Sequence, residues 1–173
     1  MASKYKKSFD NKIAMNNGNF QKILEFYLLR CPVEGTSVRG VTFREYGWSG
    51  SKQFAKLKKS LLSSAASNLA LNYYPCIKDE LPDKFNKVDV VSPVNEYCVF
   101  LKNEENTVMQ SLFSAIRNAF AHGSFSVREY TSDGCKTKVY FMVNYKTYLK
   151  AEIVLQESTL INWIKIVEDG YLG

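Results

Sequence analysis

One histidine, His122, stands in the 173 residues of this chain. That scarcity excludes a metal site built from several imidazoles. The four cysteines do not make up for it: Cys31, Cys76, Cys98 and Cys135 lie far apart and form no C-x-x-C pair. The expectation is no metal, no cofactor, and free buried thiols in a reducing compartment. No apolar run approaches the roughly 18 residues of a membrane span. The basic opening stretch MASKYKKSFDNK is followed by no apolar segment and does not read as a secretory signal. A cytoplasmic protein with no membrane partner is expected. Also missing are H-E-x-x-H, G-x-G-x-x-G and any Ser–His–Asp signature, so hydride transfer and zinc or serine hydrolysis have no residues to run on.

What is present is enough apolar and aromatic material, 46% and 14% of residues, to build the core of one domain spanning 1–173. Residues 1–17 are polar and read as a flexible arm. The net charge of +6 is concentrated at one end: residues 1–60 carry 12 Lys and Arg against 4 Asp and Glu. An excess of that kind suits a polyanion, of which nucleic acid is the commonest, or simply a solvated face. Lys52, Lys56 and Lys59, with Arg39 and Arg44 in the preceding loop, are the residues that would contact an RNA backbone.

Helical periodicity begins at Phe20 and continues through Ile23, Leu24, Tyr27 and Leu28, with Pro32 as its stop. Residues 33–50 hold four of the nine glycines and read as a basic loop, with room for a short strand at 38–46. A second helix starts near Ser51, its buried stripe being Phe54, Leu57, Leu61, Ala65 and Leu69. Residues 75–95 contain three of the four prolines and read as a connection. A third helical region closes at Gly123, which suits the left-handed residue after a helix. Next come two alternating segments around SDG, a hairpin, and a third strand in YLKAEIVL. A last helix follows, with Ser158 at its N-cap and Gly170 past its end. The pattern is α+β and mostly α, with a small antiparallel sheet inserted before the C-terminal helix.

Two groups of residues invite a chemical reading and do not support one. GWSGSK, residues 47–52, has the wrong spacing for a phosphate loop; Gly50 and Ser51 start a helix instead. The acidic pairs Asp79–Glu80, Glu104–Glu105 and Glu168–Asp169 lie in polar surroundings that would not raise a carboxyl pKa.

Arg117, Asn118 and His122, in AIRNAFAHGSF, are different. On a helix Asn118 and His122 share a face one turn apart. Arg117 lies about 140° from His122 on an ideal helix, so both reach one pocket only if the helix ends near His122. Together the three suit cleavage of RNA. Histidine titrates near neutrality and can move a proton, arginine forks onto phosphate oxygens, and asparagine can orient either. The plain structural reading is a histidine that complements the dipole at a helix C-terminus.

RNAFAHG also resembles the R-[polar]-x-x-x-H signature of the HEPN superfamily (higher eukaryotes and prokaryotes nucleotide-binding). Arg117, Asn118 and His122 fall on its defining positions, and the resemblance covers residues 105–170. It implies a helical bundle, a homodimer with a composite active site, and a metal-independent endoribonuclease that cuts single-stranded or loop RNA. It further implies a role in toxin–antitoxin systems or antiphage defence, with an antitoxin protein as a possible partner. The alternative it leaves open is a non-catalytic HEPN module that binds nucleotide, RNA or a partner protein.

Overall fold

The computed structural model describes residues 18–33, 41–66, 71–87, 95–104 and 107–171. The expected flexible arm at 1–17, Arg39 and Leu69 lie outside them. The chain opens with α1 (Gly18–Glu25), which widens into a π-helical turn at Phe26–Arg30. Then come α2 (Gly50–Ser63), β1 (Asn72–Cys76), a 3-10 turn (Lys78–Glu80) leading into α3 (Leu81–Lys87), and β2 (Tyr97–Leu101). After these follow α4 (Val108–Ala121), β3 (Phe125–Ser132), β4 (Cys135–Tyr145), β5 (Leu149–Gln156) and α5 (Glu157–Asp169). The fold is α+β, with one five-stranded sheet in the order β1-β2-β5-β4-β3.

The sheet is larger than the alternating segments alone predict. The hairpin and third strand form as expected, and Asp133 and Gly134 turn the hairpin at φ 52° and 76°, the two positive values of a tight two-residue turn. Two further strands extend the sheet beyond β5. Residues 97–101, expected inside the third helical region, form β2 instead, and four of these five residues are buried. A short apolar run covered on both faces carries no alternation, so periodicity alone does not separate it from a helix. Residues 72–76, expected as the end of one helix and the start of a connection, form β1, which pairs with β2 in parallel. Pro75 is tolerated there because β1 is an edge strand. A parallel pair requires a crossover, and the segment containing α3 supplies it. The described residues therefore do not form a pure helical bundle.

Three smaller expectations also change. Residues 43–47 form a turn, so the expected strand at 38–46 does not end there as one. Helix α2 ends at Ser63, so Ala65 lies past it, and Leu57 and Leu61 carry its burial. Helix α5 begins at Glu157 with Gln156 in the cap position, which leaves Ser158 exposed in the first turn. Glu157 is anchored there by Tyr140 Oη (3.0 Å) and Asn19 Nδ2 (3.2 Å), and a carboxylate in the first turn complements the helix dipole.

The main core fills the space between one face of the sheet and helices α1, α2, α4 and α5. Its largest member, Trp163, is fully buried and donates its indole N–H to the Leu61 carbonyl at 2.9 Å. Trp48 donates likewise to the Val167 carbonyl at 3.1 Å, so both buried donors are satisfied. A smaller cluster on the opposite face packs α3, through Leu81 and Phe85, against Tyr97, Val99 and Val154. Cys31, Cys76 and Cys98 are buried free thiols, as expected, but Cys135 is exposed beside the hairpin turn.

Candidate functional site

Helix α4 carries the candidate residues, and its own sequence fixes both ends. At the start the Thr107 hydroxyl accepts from the Gln110 N–H (3.2 Å) while the Gln110 side chain accepts from the Thr107 N–H (2.8 Å), a reciprocal cap. At the other end Gly123, at φ 62°, turns the chain out of the helix. The Ser124 N–H reaches back to the Ala119 carbonyl (2.8 Å) and the Gly123 N–H to the Phe120 carbonyl (3.2 Å). This is the Schellman pattern, and it makes His122 the capping residue with its side chain exposed. The helix thus ends where Arg117 and His122 need it to end if both are to serve one site.

Arg117 is half-buried. It stands between Phe113 and Phe120, whose rings both stack on Tyr27, with centroids at 6.0 and 5.5 Å. Its guanidinium lies near Cys31: burial pushes that thiol well up from its ordinary value, and the arginine charge draws it partly back. From this position Arg117 Nη1 donates to Asn118 Oδ1 at 3.0 Å. Asn118 therefore orients the arginine, the role its amide suits, and a guanidinium has the planar fork that suits an anion. His122 follows one turn beyond Asn118, and its N–H donates to the Asn118 carbonyl at 3.0 Å.

Asn118 also lines a cleft of about 500 Å³ between α4 and one end of the sheet. Ser114 and Asn118 line it from the helix, Lys102 and Asn103 from the chain after β2, Asn144 from β4 and Lys150 from β5. Ser111, also in the lining, is buried and accepts from the Asn103 N–H at 3.1 Å, which holds the chain after β2 against α4. The cleft is open to solvent, and eight of its ten lining residues carry a polar or charged side chain, with two lysines against one acid, Glu104.

Lys52, Lys56 and Lys59 are exposed on one side of α2, as their spacing predicts, and Arg44 is exposed in the turn before it. They do not line the cleft. Helix α2 packs on α5, and Lys56 Nζ lies 4.6 Å from the ring centroid of Tyr171, just past the end of α5. The basic stripe and the α4 motif are thus held by different helices.

Sequence reasoning missed Lys102, Lys150 and Asn144. Asn144 and Lys150 flank the β4–β5 turn, and Lys102, some forty residues earlier, meets them only because β2 pairs with β5. It also missed Glu96, a buried carboxylate that accepts from the Gln156 N–H at 2.7 Å and so ties the chain before β2 to the end of β5. Among the described residues no group of three or more His, Cys, Asp or Glu is arranged to hold a metal ion. No described helix is long and apolar enough to cross a membrane. No family model matches the chain, and no curated protein or solved structure matches it.

Proposed function

We propose that this protein is a metal-independent endoribonuclease of HEPN type that cuts single-stranded or loop RNA in the cytoplasm. The observation that carries the reading is the end of α4: Arg117 held by Asn118, an exposed His122 one turn beyond Asn118, and a cleft that Asn118 lines. The reading rests on this motif and its surroundings, because the chain is not a pure helical bundle.

In the proposed reaction the ribose 2′-oxygen attacks the adjacent phosphorus and the bond to the 5′-oxygen breaks. The 2′-hydroxyl proton passes to a neutral imidazole, and an imidazolium returns a proton to the leaving 5′-oxygen. Arg117 pairs with the non-bridging oxygens as the negative charge on them grows. The two proton transfers call for two groups, and each chain has one histidine. A two-fold dimer repeats the same patch on both subunits, so two copies of Arg117 and His122 near the axis would form one composite site. Such an enzyme is a toxin when unrestrained, which fits toxin–antitoxin or antiphage defence with an antitoxin protein as partner.

The test is cleavage of a defined RNA in the presence of EDTA, with analysis of the ends. Cutting should persist, leave 2′,3′-cyclic phosphate or 3′-phosphate with 5′-hydroxyl, and spare DNA. Mixing wild type with His122→Ala under free exchange should lower activity as the square of the wild-type fraction. Loss of cutting with chelator defeats the mechanism, and a linear fall defeats the composite site. RNA that is bound but never cut would make the protein a binding module.

A further inference from the structure

The end of the sheet that borders the α4 cleft gathers cations and aromatic rings from four separate segments. The pairing of β1 with β2 places Lys102 after their common end, where its N–H donates to the Cys76 carbonyl at 2.8 Å. The pairing of β5 with β2 and β4 brings Lys150 and Tyr145 to the same end. Tyr148, in the turn between β4 and β5, collects two lysines: Lys150 Nζ lies 5.6 Å from its ring centroid and Lys78 Nζ 5.0 Å. Tyr145 is 67% exposed, an aromatic ring turned to solvent. Lysines in and around a cleft, with an exposed aromatic ring at the same end of the sheet, are the elements with which proteins hold unpaired nucleic acid. The cations follow the backbone while the bases stack.

We propose that this cleft and sheet end form the binding track for single-stranded RNA. Lys102 and Lys150 pair with consecutive phosphates, and Tyr145 stacks on an unpaired base. Asn144 in the lining offers both donor and acceptor, and Glu104 an acceptor, to base edges and ribose hydroxyls. Asn118, shared by the cleft and the α4 motif, would bring the bound strand alongside Arg117. A duplex would not satisfy the track, because its bases are already stacked. The proposal deepens the ribonuclease reading and rests on it for the identity of the ligand. It differs from the expectation that the α2 stripe is the main RNA contact.

The experiment measures binding of a short labelled oligouridylate by fluorescence anisotropy over a range of salt, in the full-length His122→Ala protein so that no RNA is cut. Adding Lys102→Ala and Lys150→Ala together should weaken binding at least tenfold. It should also reduce the slope of log affinity against log salt by about 1.4, at roughly 0.7 per single-strand phosphate. Lys102→Arg with Lys150→Arg should restore both values. Tyr145→Ala should weaken binding about tenfold, within the range of one lost base stack, and Tyr145→Trp should not. Photocrosslinking of a 4-thiouridine RNA to the chain with both lysines intact should label residues 101–104 and 144–150, a readout independent of whether the lysine variants fold.

Unchanged affinity and slope in a folded lysine double variant overturn the proposal. So do crosslinks confined to α2, equal competition by polyglutamate, or no RNA binding at all. Cleavage that depends on His122 but not on Lys102 or Lys150 would sink the track and leave the ribonuclease standing. Binding that depends on the lysines in a protein that never cuts RNA would do the reverse.

Discussion

In its N-terminal half α4 is mostly packed: Met109, Ser111, Leu112 and Phe113 are buried, and the Thr107–Gln110 cap satisfies the first free N–H groups. At its C-terminal end the same helix presents Arg117, Asn118 and His122, half-buried or exposed, and closes on a glycine. One end spends nearly all its side chains on packing; the other still buries Ala119 and Phe120 but leaves polar groups unburied. A helix can do both because its fixed 3.6-residue turn carries the rigidity of the packed end into the open one. The lesson is that the polar end should be separable from stability, and the packed end from chemistry.

The largest effect should come from the packed end. Phe113 contacts the rings of Phe26, Tyr27, Phe43 and Trp163, so Phe113→Ala should cost about 3–5 kcal/mol in denaturant unfolding. Cleavage per folded molecule should hardly change. A loss under about 1 kcal/mol would show that this half of the helix is not the anchor it looks to be.

Next come the open-end residues. Arg117→Ala and His122→Ala should each lower RNA cleavage at least a hundredfold, about 2.7 kcal/mol of transition-state stabilisation. Unfolding free energy of the His122 variant should stay within about 0.5 kcal/mol of wild type. Asn118→Ala, which frees the arginine and removes an amide from the cleft, should lose about tenfold, below the general acid–base range. If the His122 variant is instead unstable but fully active when folded, the histidine is a helix cap and nothing more.

A smaller effect belongs to the cap. Thr107→Ala should cost about 1 kcal/mol, read as a shift in denaturation midpoint, and leave cleavage unchanged. A cleavage defect there would mean that the two ends are coupled more tightly than the comparison allows.

The smallest effect is expected on α2. Replacing Lys52, Lys56 and Lys59 with glutamine should flatten the salt dependence of RNA affinity slightly, with no change in cleavage at saturating RNA. An unchanged salt slope would identify the stripe as a solvated face. A slope change larger than that from Lys102 and Lys150 would reverse the ranking of the two basic surfaces.

Much of this molecule is legible in local pattern. The α1 periodicity, the Asp133–Gly134 turn, the alternation of β3 to β5, and Gly123 and Gly170 past helix ends all follow from short-range backbone preferences. These act over a few residues, so the chain alone displays them. The spacing of Arg117, Asn118 and His122 is of this kind, and their common helix was expected. Strands β1 and β2 were not, because each depends on a distant partner. Val99 is a strand residue because Tyr74 and Glu152 flank it, not because of its neighbours in sequence.

By itself, then, the amino-acid order determined the helices with strong periodicity, the hairpin and its turn, the α4 motif with its capping glycine, and the exposure of the α2 lysines. Tertiary structure decided that residues 72–76 and 97–101 are strands and that the sheet is mixed. It also decided that Asn118 holds Arg117, and that Lys102 and Lys150 share a cleft with Asn118. The physical reason is range. Turns, caps and helical stripes are settled by atoms a few bonds apart. A cleft between a helix and a sheet end exists only when segments from four parts of the chain are brought together.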